Sequence, residues 1–247
     1  MSGKEKEMRS NLVWSAYTDI GPFRKENEDS FAVVPPATFV IADGMGGYAA
    51  GEIASRILTD TAADLLTGAE NITELSLKHV ITKANRKIVE EAINNPEKQG
   101  MGTTATLCHI KENVVYWAHV GDSKLYHVHK GSIVQITKDH TYANMLVDRG
   151  QVSFNEAYLD SSANMLTRAV GVEDVIFSDS GSFDVELGDK LILCTDGLSG
   201  TLSEDTICEL LHDSTIESMA NKLVKAAIDR GARDNVTAIV VEILKNC

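Results

Sequence analysis

Ten short stretches of the chain alternate apolar with polar residues or run continuously apolar, which is the pattern of β-strands. They cover residues 11–18, 30–34, 37–42, 103–110, 113–120, 124–129, 132–137, 180–185, 190–194 and 235–244. Most consecutive strands are separated by only a few turn-like residues, as at positions 111–113 and 129–132. Such short connections predict antiparallel pairing, because parallel neighbours require long crossovers.

Four longer stretches repeat apolar residues every three or four positions, as amphipathic helices do. They run from about 52 to 66, 72 to 93, 203 to 211 and 216 to 230. Ser203 is a suitable N-cap for the third helix, and Gly231 ends the fourth. Helices that come in pairs among strands with short turns predict an α+β fold: two stacked antiparallel β-sheets form a central sandwich, flanked by pairs of helices.

Residues 140–170 show neither the alternation of a strand nor the repeat of an amphipathic helix, and they combine a short helical stretch with a polar loop. Long irregular segments inside compact domains tend to carry function, so we interpret this segment as a flap that influences substrate choice. No linker divides the rest of the pattern. We therefore predict a single domain over residues 12–247, preceded by a disordered or frayed segment at residues 1–11.

Composition narrows the possible partners. The 247 residues are 43% hydrophobic and carry a formal net charge of −13, which repels phosphate backbones and anionic lipids and argues against nucleic-acid and membrane partners. The charged opening sequence lacks the apolar core of a signal peptide, and no apolar run approaches the ~18 residues needed to span a bilayer. We expect a cytoplasmic protein.

Four aspartates stand where predicted strands end or begin, namely Asp43, Asp122, Asp196 and Asp234. The exit of one antiparallel strand lies beside the entry of its neighbour, so all four can share one rim. Two unit charges roughly 4 Å apart repel by about 1 kcal/mol in water, and by several times that at a partly buried surface. A cluster of this kind requires cations. The sequence therefore predicts a multi-metal site, although either Asp-Gly pair alone would be explained by a turn.

The donor atoms of this cluster are all oxygens, which suits Mg²⁺ or Mn²⁺ better than Zn²⁺. The histidines show no zinc-binding pattern, and we interpret His119, His127 and His129 as solvent-facing or hydrogen-bonded residues. For His140, at the entrance of the flap, the sequence does not decide between a metal ligand and a hydrogen-bonded residue. The four cysteines form no Cys-x-x-Cys pair and none begins a thiol-phosphatase loop, so we expect them to be reduced and structural.

A charged loop between the first two predicted strands contains Asp19, Arg24, Glu28 and Asp29. If it lies on the same rim, Glu28 and Asp29 can orient metal-bound water, and Arg24 offers a planar fork to a phosphate. Taken alone, the same loop is better explained as a charged surface turn.

A competing motif overlaps the first aspartate. Gly44, Gly46 and Ala49 have the spacing of a dinucleotide-binding fingerprint, with Asp64 about twenty residues further on. This alternative predicts an oxidoreductase. It is disfavoured because Asp43 would repel the pyrophosphate, and because the chain lacks the strand-helix alternation of a parallel nucleotide-binding sheet.

Seven motifs, taken together, resemble one known family. They are Arg24 with the Asn-Glu-Asp at 27–29, ADGMGG at 42–47, MGTTAT at 101–106, HVGDS at 119–123, LTRAVG at 166–171, CTDGL at 194–198 and ARDN at 232–235. In this order, and across nearly the whole chain, they resemble the metal-dependent protein phosphatases, also called type 2C. The DGMGG form and the compact length are similar to the bacterial branch.

This resemblance implies a role for each matching position. Asp43 would bridge two metals, the Gly44 carbonyl would ligate the first, and Asp196 and Asp234 would hold the second. Asp122, with Asp196, matches the pair that holds a weaker third ion.

The remaining positions would act around these ligands. Glu28 would act through metal-bound water and Asp29 from behind the ligands. Arg24 would bind the substrate phosphate, Asn235 would orient Asp234, and Gly102 with the two threonines after it would support the site.

The implied function is a phosphoserine/phosphothreonine protein phosphatase that uses two Mn²⁺ or Mg²⁺ ions and a weaker third. A metal-activated water would attack the phosphoryl group without a phosphoenzyme, with Arg24, Asp43 and Asp196 as the catalytic residues. Many eukaryotic relatives have a histidine where this chain has Met45, which cannot donate a proton. The expected partners are phosphoproteins made by a serine/threonine kinase, and the chain is expected to be a monomer. An inactive domain that binds phosphoproteins is the alternative.

Overall fold

The structure is a computed structural model that describes residues 12–47, 50–157, 162–212 and 215–244. The predicted frayed segment, residues 1–11, lies outside the described residues. The strands are β1 Leu12–Asp19, β2 Asp29–Val34, β3 Thr38–Met45, β4 Gly102–Thr103, β5 Ala105–Lys111, β6 Val114–Val120, β7 Lys124–His129, β8 Ser132–Gln135, β9 Asp179–Asp184, β10 Lys190–Cys194 and β11 Val236–Ile243. The helices are α1 Ala50–Leu66, α2 Glu74–Asn94, α3 Tyr142–Asp148, α4 Phe154–Ala157, α5 Asp196–Ser199, α6 Glu204–His212 and α7 Ile216–Asp229.

The strands form two antiparallel sheets. The first sheet has the order β1-β11-β10-β7-β8, and the second has the order β2-β3-β5-β6-β9, with β4 paired to β3. The paired strands within both sheets run antiparallel. The predicted α+β fold is therefore confirmed, and the antiparallel neighbours of β3 exclude the parallel sheet that a dinucleotide fingerprint requires.

Three apolar layers hold the sandwich together. Between the sheets, side chains such as Phe39, Leu125, Leu193 and Ile239 are fully or almost fully buried. Helices α1 and α2 pack on the outer face of the second sheet, and α6 and α7 pack on the outer face of the first. The central strands, such as β3, β5, β10 and β11, thus alternate their side chains between two buried layers, which is why their sequences are nearly continuous apolar runs.

This arrangement brings the ends of strands from both sheets to one rim. Asp43 lies near the end of β3, and Asp122 follows β6, both in the second sheet. Asp196 follows β10 and Asp234 precedes β11, both in the first sheet. The rim is therefore shared between the two layers of the sandwich.

The predicted helices and strands occur with small differences at their ends. The first helix begins at Ala50 rather than Glu52, and the second spans Glu74–Asn94. The predicted strand at 103–110 is interrupted at Thr104, which hydrogen-bonds to Asp43 instead. The Thr104 N–H donates to the Asp43 carbonyl at 2.8 Å, and the Thr104 hydroxyl accepts from the Asp43 N–H at 2.8 Å. The four-residue helix α5 was not predicted.

The described part of the flap contains α3 and α4. A small apolar cluster of Ala143, Ala157 and Ala163 holds it together, and isolated β-bridges join Thr103 to Val170 and Thr141 to Leu166. The flap is thereby attached to β4, the strand that pairs with β3 beside Asp43. Among the described residues, we find no helix with the length and apolarity needed to cross a bilayer.

Truncating the layer between the sheets should destabilise the protein. Leu193 is completely buried there, so Leu193→Ala should lower the free energy of unfolding by about 2–5 kcal/mol through lost burial and a residual cavity. Leu75→Ala, at a position that is 78% exposed on α2, is the matched control and should change it by less than about 0.5 kcal/mol. Urea unfolding of both variants measures the difference, and equal effects would contradict this assignment of the core.

Candidate metal centre

Two aspartates face each other across neighbouring strands at the rim. Asp29, the first residue of β2, is paired with Asp43 on β3. Burial raises the pKa of Asp29 to about 7, although hydrogen bonds from Thr237 and Thr195 oppose the shift. Burial also raises the pKa of Asp43 well above its usual value, and the nearby carboxylates of Asp29 and Asp196 add to this effect. The site therefore resists holding these charges without a cation.

Asp196 comes to the same place from the other sheet. It begins α5 immediately after β10, and its carboxylate lies within hydrogen-bonding reach of Asp43. Burial, followed by repulsion from Asp234, raises the pKa of Asp196. Asp43 and Asp196 thus bring carboxylates from different sheets close enough together for Asp196 to raise the pKa of Asp43.

Two oxygens of this cluster are buried without a hydrogen-bond partner: Oδ1 of Asp29 and Oδ1 of Asp196. Buried polar atoms are nearly always satisfied, and an unsatisfied carboxylate oxygen is costly. Hard oxygen donors in this number are the ligands that Mg²⁺ and Mn²⁺ prefer. The residues present therefore fit a divalent cation.

Asp122 approaches the cluster from the loop after β6. Burial raises its pKa to about 7, with further contributions from Asp196 and Asp139. Lys124, two residues on, forms an ion pair with Asp139, and its charge partly opposes the rise in the pKa of Asp122. Asp122 therefore lies close enough to Asp196 for the two charges to interact.

Arg24 lies at the exposed edge of the rim. Its Nη2 donates to Oδ2 of Asp234 at 2.5 Å, and this bond raises the pKa of the guanidinium. Side chains of both residues are partly accessible, at 48% and 36%. The structure therefore places a permanent positive charge beside the carboxylates and in contact with solvent.

Glu28 lies against the beginning of α1. The backbone of Gly51 hydrogen-bonds to its carboxylate, while burial raises the pKa of the side chain. Gly44 N–H donates to the Glu28 carbonyl at 3.0 Å. A Cβ on Gly44 would lie 2.1 Å from the Gly51 carbonyl oxygen, so only glycine allows β3, α1 and the Glu28 loop to approach this closely.

Asn235 fastens the N-terminal loop to the rim. Its side-chain amide donates to the carbonyls of Ile20 and Glu26 at 2.9 and 3.0 Å, and its Oδ1 accepts from the Glu28 N–H at 2.8 Å. Its own backbone N–H donates to Oδ1 of Asp234 at 2.8 Å. The resemblance implies that Asn235 orients Asp234, which stays a prediction, and the three side-chain bonds to the N-terminal loop were not predicted.

Two threonines behind the carboxylates were missed by sequence reasoning. Thr195 and Thr237 donate their hydroxyls to Oδ2 of Asp29 at 2.9 and 2.6 Å. Thr195 directly precedes Asp196, and Thr237 lies in the strand that follows Asp234, so proximity to predicted ligands was the available signal.

The MGTTAT motif supports the site from the other side. Thr103 donates its hydroxyl to the Asp43 carbonyl at 2.9 Å. The Thr104 hydroxyl, which accepts from the Asp43 N–H, lies 2.7 Å from the hydroxyl of Ser123, in the motif that contains Asp122. These bonds explain how residues 101–106 and 119–123 act on one site.

His140 is a buried link and not a member of the carboxylate cluster. Its Nδ1 accepts the Gly121 N–H at 3.1 Å, directly before Asp122, and its Nε2 lies 3.2 Å from Oδ2 of Asp179. Asp179 also pairs with Arg168 at 2.8 Å. Burial lowers the pKa of His140. The residue therefore connects the flap to the loop that carries Asp122.

A cleft of about 630 Å³ extends from the rim to the flap. Asp122 and Asp196 line one end of it, and Asn144, Asp148 and Asn164 line the flap side. The cleft therefore connects the carboxylate rim to the described part of the flap.

Comparison with known proteins agrees with this geometry. The family described as Protein phosphatase 2C matches residues 25–238. Serine/threonine protein phosphatase PstP of Mycobacterium tuberculosis is 33% identical over 236 residues, covering 94% of this chain and 45% of PstP. The chain therefore spans about half the length of this relative.

Solved structures share the fold. The serine/threonine phosphatase Stp1 of Staphylococcus aureus superimposes with a TM-score of 0.89 at 32% identity, covering 99% of this chain and 100% of that one. The catalytic domain of PstP in complex with two manganese ions has a TM-score of 0.85 at 33% identity, covering 95% and 99% of the respective chains. From the family match over residues 25–238 and the shared sandwich, we conclude that this chain belongs to the protein phosphatase 2C family.

Proposed function

We propose that this chain is a metal-dependent phosphoserine/phosphothreonine protein phosphatase. The observation that carries the proposal is the group of buried carboxylates with unpaired oxygens at Asp29 and Asp196, with the Arg24 guanidinium beside them. Metal-binding carboxylates next to a solvent-accessible guanidinium are the groups that phosphoryl transfer to water requires.

The two principal ions would be Mn²⁺ or Mg²⁺. Asp43 would bridge them, the Gly44 carbonyl would bind the first, and Asp196 and Asp234 would bind the second. Asp122, with Asp196, would hold a weaker third ion. When bound, such ions act as Lewis acids that lower the pKa of water and offset charge on phosphoryl oxygens.

The chain's own groups would bind and orient the reactants. Arg24 would exchange its bond with Asp234 for the substrate phosphate, which its planar fork can hold through two hydrogen bonds. Glu28, held between Asn235 and the start of α1, would orient water at the rim. Asp29 would hold negative charge behind the ligands and thereby strengthen cation binding.

We also propose a substrate class, an oligomeric state and a location for this chain. The substrates would be proteins phosphorylated by a serine/threonine kinase, and the chain would act as a monomer in the cytoplasm. The flap, residues 140–170, would contribute to the choice of substrate because its described residues line the cleft that leads to Asp196.

Removing one proposed ligand should slow the reaction strongly. We expect Asp196→Asn to hydrolyse a phosphothreonine peptide at least about 100-fold more slowly in saturating Mn²⁺, since losing even an outer partner of a metal ligand costs roughly 10–100-fold. Asp60→Asn, at an exposed position on α1, is the matched control and should retain full activity. Phosphate release with Mn²⁺ and with chelator is the measurement.

Metal-independent turnover, or full activity of Asp196→Asn, would refute the proposed function. Tight binding of the phosphopeptide by the unmodified chain without hydrolysis in saturating Mn²⁺ would instead favour the inactive phosphoprotein-binding domain.

Replacing the guanidinium should chiefly weaken substrate binding. Arg24→Lys keeps the charge but loses the planar fork, so we expect KM for the phosphopeptide to rise roughly tenfold or more, corresponding to about 1.4 kcal/mol. Lys25→Ala, at the exposed neighbouring residue, is the control and should leave KM unchanged. Steady-state kinetics separate KM from kcat, and an unchanged KM in Arg24→Lys would argue against a phosphate-binding role.

Protons and cations should compete for the rim. In the metal-free fold the pKa of Asp29 and of Asp122 is about 7, above the usual value of 3.8. Groups with a raised pKa stabilise the fold fully below about pH 4 and lose that contribution as the pH rises through about 7. We therefore expect the chelated protein to lose stability between pH 5 and about 8, and Mn²⁺ to raise the melting temperature more at the higher pH.

The variant Asp29→Asn tests the cause of this pH dependence. It removes one titrating carboxylate while keeping its shape, so its melting temperature in chelator should fall less steeply over the same interval. Identical slopes for the variant and the unmodified chain would contradict the assigned role of Asp29. Thermal denaturation followed by circular dichroism gives both slopes.

A further inference from the structure

A second group of potential metal ligands lies at the other end of the first sheet. His127 and His129 are near the end of β7, and Asp189 directly precedes β10. The sequence from Asp189 to Asp196 spans β10, so the two ends are separated by roughly 20 Å at about 3.3 Å per residue. This histidine-aspartate group is therefore distinct from the carboxylate rim.

The three side chains converge on one point. Nε2 of His127 lies 2.8 Å from Oδ2 of Asp189, and Nδ1 of His129 lies 2.7 Å from Oδ1 of the same carboxylate. One donor atom from each residue lies within 4.8 Å of the other two. Phe183 packs against the ring of His127, with the ring centres 5.1 Å apart, and limits its movement.

The charge of this group also suits a cation. Asp189 is only 3% exposed, yet hydrogen bonds from the Glu186 N–H and the two histidines outweigh burial and lower the pKa of its carboxyl. Lys130, next to His129, is directed to Glu186 at 3.1 Å, and Lys190, next to Asp189, lies 3.5 Å from Glu242. A buried carboxylate that stays ionised, faced by two imidazoles, presents one negative charge and two nitrogen donors.

We propose that His127, His129 and Asp189 form a binding site for Zn²⁺. Imidazole nitrogen with one carboxylate is a donor set that suits Zn²⁺, whereas Mg²⁺ and Mn²⁺ prefer oxygen ligands. Zinc bonds of about 2.0–2.1 Å in a tetrahedron place the donors about 3.4 Å apart. Small side-chain shifts achieve this spacing, and the accessible face of His129 leaves the fourth position to water.

Binding requires that the ring nitrogens that face Asp189 carry no proton, because zinc takes their lone pairs. In the metal-free structure each imidazole can donate an N–H from the nitrogen that faces Asp189. On zinc binding that nitrogen becomes the ligand, and the proton resides on Nδ1 of His127 and Nε2 of His129. Asp189 exchanges two hydrogen bonds for one bond to the metal.

The position of this site indicates a structural effect. Residues 185–189 connect β9 in the second sheet to β10 in the first. The connection is already fixed to β11, because Gly188 N–H donates to the Ile243 carbonyl and Ile243 N–H donates to the Asp189 carbonyl, at 2.8 and 3.0 Å. A zinc ion would tie this crossover to the end of β7 and stabilise the packing of one sheet on the other.

The test measures Zn²⁺ binding to the whole chain after metals are removed, in saturating Mg²⁺ so that the carboxylate rim is occupied. We expect one Zn²⁺ per chain and a higher melting temperature on binding. The double variant His127→Gln/His129→Gln keeps side-chain N–H donors for Asp189, and should bind Zn²⁺ at least about 100-fold more weakly. His79→Gln, at an exposed histidine on α2, is the control and should bind as the unmodified chain does.

Equal Zn²⁺ binding and equal thermal stabilisation in the double variant and the unmodified chain would overturn the proposal. Phosphopeptide hydrolysis with Mn²⁺ should be the same in the double variant, so a failure here is distinct from a failure of the proposed phosphatase activity.

A second measurement needs no variant. Histidine-specific acylation followed by mass spectrometry should show that Zn²⁺, in saturating Mg²⁺, slows modification of His129 at least about fivefold but leaves His79 unaffected. Modification of His129 at the same rate with and without Zn²⁺ would contradict the site even if the double variant failed to fold.

Discussion

Repulsion among buried carboxylates is the constraint on which the architecture of this protein depends. Beyond the effect of burial, the carboxylates of Asp29 and Asp196 raise the pKa of Asp43, and that of Asp196 also raises the pKa of Asp29. A flexible loop would relax away from such a cluster. Here the aspartates lie at or beside the ends of strands whose other residues are committed to apolar layers, so that moving one carboxylate would disrupt the packing between the sheets.

The two sheets contribute different things to this rim. The second sheet supplies the Asp29 and Asp43 pair, whose backbones are locked in register, and the first sheet supplies Asp196 and Asp234. Bonds between the sheets then fix their relative position: Thr195 and Thr237, from the first sheet, donate to Asp29 in the second. The hydrogen bonds at the site therefore also hold the two sheets together, and cation binding is linked to the stability of the whole fold.

Most of the helices and strands were predictable from the sequence, because each has the apolar pattern that is typical of its type. Long apolar runs such as that ending in β11 and the amphipathic stripe of α7 predicted their elements, and the motif series predicted the family, which is confirmed. The roles of Arg24, Asp122 and the other site residues stay predictions. The sequence could not show that Thr104 would leave its strand to bond Asp43, because that bond depends on how β3 and β5 meet in space.

The same reasoning explains why the histidine-aspartate group was missed. His127 and His129 alternate along a strand, which is as typical of a surface strand as of a ligand pair, and Asp189 lies sixty residues away from His129. Only the antiparallel pairing of β7 with β10 brings them together. That pairing also places the nitrogen-rich group and the oxygen-only rim at opposite ends of the same strands. The donor atoms can therefore select different cations within one sheet: hard ions bind at the rim, and zinc binds where two imidazoles meet a single ionised carboxylate.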